Sequence, residues 1–188
     1  MSAFDAVSAA YALFDTAIGR CAIAWSGEGV VAIELPHTDE RRTRAGLLRR
    51  TPGAPEAVSP RPAWTAITAV TALLDGEAEN LRSIPVDFAG VPAFDRSVWE
   101  VARTIDPGET LTYGEITKRI GAPRQAREVG KALGRNRCPI IVPCHRVVAA
   151  GGGLGGFSAP GGTATKRLLL EIERRHSSGP ASLFDAVA

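Results

Sequence analysis

Cysteine is scarce in this chain: Cys21, Cys138 and Cys144 are the only three in 188 residues. They are too few and too scattered for a disulfide framework of the kind that staples small secreted domains. No apolar run approaches the roughly 20 residues that a membrane-spanning helix requires, so no membrane partner is expected. Met1 to Ala10 hold no basic stretch followed by an apolar one, which argues against a secretory signal. A reducing cytoplasm is the expected compartment, and it would suit a free thiol. Metal-ligating residues are equally sparse. Cys21 and His37 lie near each other in sequence, but two candidate ligands do not make a zinc site, and no metal is predicted. What is present is an ordinary soluble composition, 45% hydrophobic and 22% charged, long enough for one large core or two small ones.

The formal net charge is only +2, but it is unevenly placed. Arg96 to Arg146 carries ten Lys and Arg against five Asp and Glu, or +5; the rest of the chain carries 12 against 15, or −3. A basic central block on a nearly neutral chain fits a polyanion on one face, or a solvated helix surface.

Along the chain, Tyr11 to Ser26 and Val30 to Leu35 read as two strands joined by the turn Gly27-Glu28-Gly29. Pro36 to Pro62 reads as a long loop or frayed helix. Trp64, Ile67, Thr71 and Leu74 recur at helical spacing, with Gly76 as the stop. Val86-Asp87-Phe88 is a further candidate strand, and Gly90-Val91-Pro92 a boundary. Beyond it, Asp95 is read as the cap of a helix with the apolar stripe Val98, Val101, Ala102 and Ile105. Thr112 and Glu115 form a capping box for a second helix with Ile116 and Ile120 inward. Pro123 suits the first position of a third helix, reaching about Gly134, with Ala126, Val129, Gly130 and Leu133 on its inner side. Two short helices joined by Gly121-Ala122-Pro123 make a helix-turn-helix. The outer face of its second helix offers Arg124, Gln125, Arg127, Glu128, Lys131 and Arg135, a surface that can meet phosphates. Many such units are only packing elements.

The densest chemistry is Pro143-Cys144-His145-Arg146, which follows the strand-like run Ile140-Ile141-Val142. A thiol and an imidazole, placed where proline breaks an apolar run, suit a reactive cysteine at the end of a rigid element. The thiolate is the nucleophile, and a nearby imidazole raises its population at neutral pH.

Several ordered motifs surround this pair: Val98-Trp99, Pro107-Gly108-Glu109-Thr110, Thr112-Tyr113-Gly114-Glu115-Ile116, Ala126-Arg127-Glu128-Val129-Gly130, Asn136, Ile141 to Val147, and Gly156-Phe157-Ser158. From about Phe94 to about Glu173 they resemble the 6-O-alkylguanine-DNA alkyltransferases (methylated-DNA–protein-cysteine methyltransferases). The first ninety residues resemble that family's variable N-terminal domain loosely. The resemblance implies an α+β protein. A small ribonuclease-H-like α/β scaffold unit, residues 1–90, would precede a mainly helical, winged helix-turn-helix-like domain, residues 91–175, that binds DNA and carries the active site. A disordered tail, 176–188, would follow.

It also implies a reaction. The methyl group of an alkylated guanine lies within the base stack, so the nucleotide must be rotated out at a cost of a few kcal/mol. Cys144 would accept the alkyl group of 6-O-alkylguanine, with 4-O-alkylthymine as a further candidate substrate. His145 would act as base through a water, oriented by Glu173, with Glu171 as the competing assignment. Tyr113 would steer the target phosphate and donate a proton to the leaving base, and Asn136 would brace the turn before the active-site strand. Arg127 would fill the space left by the flipped nucleotide, with Arg124, Gln125, Lys131 and Arg135 at the DNA surface. The carbonyls of Cys144 and Val147 would accept from the guanine amine, the Ser158 amide would approach the alkylated oxygen, and Phe157 would stack on the base. Transfer to sulfur yields a thioether with no easy hydrolytic exit, so the protein would act once per molecule, without a cofactor, as a monomer on double-stranded DNA.

The chain departs from the family pattern at two of these positions. Phe157 stands in place of the usual tyrosine, and Arg137 follows Asn136 in place of the usual proline, a change expected to loosen the turn. Cys138 beside it is expected as a buried or partly exposed thiol, and Cys21 as a core thiol. In the tail, Leu183-Phe184 resembles part of a sliding-clamp-binding peptide without its usual glutamine. Two alternatives lack transferase activity. A DNA-lesion binder would not keep Cys144, and a helix-turn-helix regulator would not need the Cys-His pair or the glycine-rich stretch from Gly151 to Gly162.

Overall fold

The structure is a computed structural model and describes residues 9–177. It is a mixed α/β fold that opens on an antiparallel meander, β1 (Ala10–Thr16), β2 (Gly19–Trp25) and β3 (Val30–Glu34). The stretch read as one long strand from Tyr11 is a hairpin. Thr16 pairs with Gly19 around a two-residue turn, and Gly19, directly after it, takes a positive φ that glycine adopts readily. Alternation with period two then sorts the side chains of β2. Cys21, Ile23 and Trp25 enter the main core, while Ala22 and Ala24 pack on the other face with Tyr11 and Leu47. Both faces are covered, so β2 from Cys21 onward and all of β3 are buried.

The cover on the second face is α1 (Glu40–Leu48), in the segment read as a loop or frayed helix. Asp39 caps it, accepting from the Arg42 amide at 2.8 Å. Polar residues dominate its sequence, and only Thr43, Gly46 and Leu47 are buried, which hides the helical period. The first core face receives α2 (Arg61–Asp75), ended by Gly76. Its buried residues include Ala63, Ala66, Ile67, Val70, Leu73 and Leu74. Trp64, expected inward, is 62% exposed. Val86 makes one parallel bridge to Val30 instead of a strand. Gly29 fits there because a Cβ would stand 2.6 Å from the Pro85 carbonyl oxygen.

Next come α3 (Ala93–Ala102), β4 (Leu111–Thr112), α4 (Tyr113–Arg119), α5 (Ala126–Gly134), β5 (Val147–Val148) and α6 (Gly162–Ser177). Pro92, not Asp95, occupies the N-cap of α3; Asp95 sits in its first turn and is buried. The capping box of α4 is present, with both Thr112 and Glu115 bonding the reciprocal backbone. Pro123 lies in the turn before α5, whose N-cap is Gln125. Arg124 holds φ at 72° there, a conformation that does not start a helix. Val129, Ala132 and Leu133 face the core, whereas Ala126 is exposed. Ile140-Ile141-Val142 forms a buried turn, not a strand, with Ile140 at φ 74°. One core cluster joins Phe14, Ile33, Val70, Val98, Ile141 and Leu169, so the sheet and the helices pack as one body.

No helix among the described residues is long and apolar enough to cross a membrane, and among them no group of three or more His, Cys, Asp or Glu could hold a metal ion. The tail after Ser177, with Leu183-Phe184, lies outside the described residues.

Candidate active site

Cys144 opens a single 3-10 turn, Cys144–Arg146, that leads into β5. Pro143 takes φ −80° and ψ 65°, and the Cys144 amide donates to the Val142 carbonyl at 2.8 Å, the geometry of an inverse γ-turn. This sharp bend sets Cys144 at the wall of a cavity. β5 pairs in parallel with β4, Leu111 against Val147 and Thr112 against Val148. The start of α4, and hence Tyr113, is thereby placed beside the thiol.

Cys144 borders a cavity of about 380 Å³ that Tyr113, Leu133, Gly134, Gly156, Phe157 and Ser158 also line. Burial pushes the Cys144 thiol above its ordinary value; a hydrogen bond from Asn136, the charge of Lys166 and the backbone amides of Cys144 and His145 pull the other way. Asn136 is fully committed. Its Nδ2 donates to the Val142 carbonyl at 2.8 Å and to the Cys144 Sγ at 3.3 Å, and its Oδ1 accepts from the Cys138 amide at 2.9 Å. Those partners fix which end of the amide is which.

Behind the thiol lies a buried polar network. His145 is fully buried, and its Nε2 meets the Glu173 Oε1 at 2.8 Å. Arg146 grips the same carboxylate through Nε and Nη2, at 2.7 to 3.1 Å, and its Nη1 donates to the Ile105 carbonyl at 2.6 Å. The Gly108 amide adds a further bond to Glu173 at 3.2 Å. Burial opposes ionisation of Glu173, but the bonds from His145 and Arg146 hold its pKa at about 2. Burial lowers the His145 pKa, so the ring is neutral. A carboxylate at Nε2 makes that nitrogen the N–H donor. Nδ1 keeps its lone pair and has no hydrogen-bond partner among the described residues. The ring is thus a base with Nδ1 as its proton acceptor.

Glu171 is exposed, and Glu173, on the buried side of α6, is the carboxylate that reaches His145. Tyr113 is half-buried; burial raises its phenol, and the nearby Cys144 acts in the same direction. The Gly156 backbone acts in the opposite direction. Phe157 lines the cavity; Ser158 is exposed there, with its Oγ bonded to the Gly134 carbonyl at 3.2 Å. The Val147 carbonyl accepts from Lys166 Nζ at 2.6 Å. It therefore has one lone pair left for any ligand.

Arg124, Gln125, Arg127 and Lys131 are exposed at or before the start of α5 and along it. Lys131 pairs with Glu128 at 2.8 Å. Arg135 is exposed at the same surface and binds buried Asp95 in bidentate fashion, at 2.6 and 2.7 Å. Two functional side chains escaped the sequence reading, Arg146 and Lys166. Arg146 stands inside the apolar run Val142 to Val148, and a cation there needs a buried partner. Lys166 is fully buried, and its Nζ bonds the Val147 and Gly156 carbonyls on both sides of the pocket.

Residues 93–175 match the family described as 6-O-methylguanine DNA methyltransferase, DNA binding domain. A methylated-DNA–protein-cysteine methyltransferase of Mycobacterium leprae is 37% identical over 171 residues, covering 91% of this chain and 96% of the relative. Another, of Mycolicibacterium paratuberculosis, is 45% identical over 127 residues, 68% of this chain and 74% of the relative. The crystal structure of Mycobacterium tuberculosis OGT in complex with DNA superposes with a TM-score of 0.71 at 37% identity, covering 91% of this chain and 95% of that one.

Proposed function

The chain belongs to the methylated-DNA–protein-cysteine methyltransferase family and is a DNA-repair enzyme of that activity, and we propose that Cys144 is its acceptor, taking one alkyl group irreversibly from 6-O-alkylguanine. The observation that carries this reading is a buried thiol at the wall of a base-sized cavity, hydrogen-bonded by Asn136, with the His145–Glu173–Arg146 network directly behind it.

His145, through a water, removes the thiol proton at Nδ1. The sulfur attacks the alkyl carbon; the S–C bond forms as the C–O bond breaks, and the electron pair passes into the purine. Tyr113 donates its hydroxyl proton to the departing base, so guanine leaves neutral, and the phenolate regains a proton from solvent or the imidazolium. Glu173 holds the imidazole in the required tautomer and stabilises its charged form. Phe157 stacks on the base, and the Val147 carbonyl and Ser158 amide read its edge. We read α4 and α5 as a helix-turn-helix within a winged arrangement, with Arg127 entering the duplex. The first ninety residues serve as a ribonuclease-H-like scaffold for the domain of residues 91–175. The protein works as a monomer in the cytoplasm.

The deciding assay mixes the protein with a duplex carrying labelled methyl on guanine oxygen and looks for label on protein, at no more than one equivalent. Arg127→Ala is expected to weaken duplex affinity, because it removes the side chain that fills the space of the flipped nucleotide, and to lower the slope of log affinity against log salt by up to about one, because a cation held within the duplex also displaces counterions. Titrations at several salt concentrations read both. An unchanged slope with unchanged affinity would remove Arg127 from the interface.

Gly155 sets the position of Tyr113. Its φ is +70°, and a Cβ there would stand 2.8 Å from the Tyr113 hydroxyl and 2.9 Å from the ring. Gly155→Ala is expected to cost about 1–3 kcal/mol of stability by crowding and to slow transfer by up to about a hundred-fold through a displaced phenol. Thermal melts and single-turnover kinetics measure the two effects separately.

A further inference from the structure

Arg137 stands where the family pattern has proline, and the reaction scheme gives its side chain no task. The side chain supplies bonds of its own to the turn. Arg137 Nη2 donates to the carbonyls of Asp87 at 2.7 Å and Ala89 at 2.8 Å. Its Nε is buried with no partner among the described residues, so those two bonds hold the guanidinium in place. The Arg137 carbonyl accepts from the Ile33 amide of β3 at 2.8 Å, and the Cys138 Sγ lies 3.3 Å from the Val31 carbonyl.

The segment that receives the guanidinium is itself rigid. Val86 bridges to Val30, and the Asp87 amide donates to the Val30 carbonyl at 2.9 Å. The Asp87 carboxylate accepts from the Ser26 hydroxyl at 2.7 Å and from the Ala89 amide at 2.8 Å. Arg137 thus fastens the turn that carries Asn136 to a strap already sewn onto the sheet. A proline would restrict the backbone but could donate no bond.

We propose that Arg137 is a positioning residue for transfer: by latching this turn to the strap at Asp87–Ala89, it fixes Asn136, whose amide reaches the Cys144 sulfur at 3.3 Å. The latch makes the first part of the chain a determinant of thiol reactivity as well as a scaffold. The inference rests on the reading of Cys144 as the acceptor. A hydrogen bond donated to sulfur favours the thiolate, and its strength depends on a donor placed to within a few tenths of an ångström.

The test compares wild type with Arg137→Ala, Arg137→Lys, Asn136→Ala and the Asn136→Ala/Arg137→Ala double variant. The rate of Cys144 alkylation by iodoacetamide is followed against pH by mass spectrometry of the Cys144 peptide. Methyl transfer from duplex and duplex affinity are measured in parallel. Arg137→Ala should raise the midpoint of the pH profile by about one unit and slow the reaction about ten-fold at neutral pH, since thiolate is the reacting form. Duplex affinity should be unchanged, and Arg137→Lys should recover part of the rate. On the Asn136→Ala background, Arg137→Ala should shift the midpoint no further.

A wild-type profile for Arg137→Ala, a loss equal at every pH, or a full shift persisting without Asn136 would overturn the latch. If Arg137→Ala does not fold, Asp87→Ala decides, since it loosens the strap without touching the turn. A smaller upward shift is expected, and no shift overturns the proposal. The iodoacetamide profiles decide the latch without DNA, whereas a wild-type protein that takes no methyl group from duplex overturns the functional reading.

Discussion

Cys144→Ala leaves the protein folded and able to bind duplex DNA, and it abolishes the transfer of labelled methyl to protein. The alanine removes one sulfur at the wall of an existing cavity, so little packing is lost, and the exposed face at Arg124, Gln125 and Arg127 is untouched. The loss of transfer is complete because no other thiol substitutes for it. Cys21 and Cys138 are buried, and burial pushes both thiols up to about 12. Neither supplies thiolate at neutral pH. Label on the Cys144→Ala protein would refute the assignment of the acceptor.

Glu173→Gln is expected to damage both stability and rate. Its carboxylate is 2% exposed and is shared by His145, Arg146 and the Gly108 amide. Removing the charge leaves Arg146 buried without its counter-ion, a change that costs about 3–5 kcal/mol. The imidazole also loses the partner that fixes its tautomer, and transfer should fall by about 10² to 10⁴. The pH dependence has a defined sign. Glu173 has a folded pKa of about 2, below its unfolded value of about 4.3. Its contribution is therefore full above the unfolded value and is lost as pH falls through the folded one. The His145 pKa is lowered by burial, so its neutral form also favours folding above the unfolded value of about 6.5, and acid removes that contribution too. Acid unfolding of wild type should therefore be steep below neutrality, and Glu173→Gln should flatten its most acidic part. Melting curves across pH, with exposed Glu171→Gln as the control, check this. Equal damage from the two variants would contradict it.

Much of the site was legible through the resemblance to the family, and a further signal, not used there, lies where charge and period coincide. Lys166, Leu169, Leu170 and Glu173 repeat at helical spacing, and all four are buried. Two charges on an apolar stripe are a sign of function or of buried pairing; the family resemblance favours Glu173 over Glu171, and the stripe agrees with that choice. The capping box at Thr112 and Glu115 was readable because it is a local bond with a local spacing. The nucleophile's turn was not. Ile140-Ile141-Val142 carries a strand's composition, but the Asn136 amide, six residues before Val142, binds the Val142 carbonyl, and β3, far earlier in the chain, holds the turn at Arg137. Arg135 lies exposed at the outer surface, and its bidentate bond to Asp95, forty residues earlier, is not visible in the local pattern. In both places tertiary partners add what the local pattern does not carry. The same holds at Arg137, where the lost proline suggested a looser turn and two distant carbonyls supply the restraint.

Mass spectrometry of wild-type protein after incubation with an oligonucleotide duplex containing 6-O-methylguanine tests the account most directly. The peptide bearing Cys144 is expected to gain the mass of one methylene group, in proportion to lesion consumed and never beyond one per molecule. An unmodified Cys144 peptide after the lesion has been repaired, or the added mass on Cys21 or Cys138 instead, would contradict it.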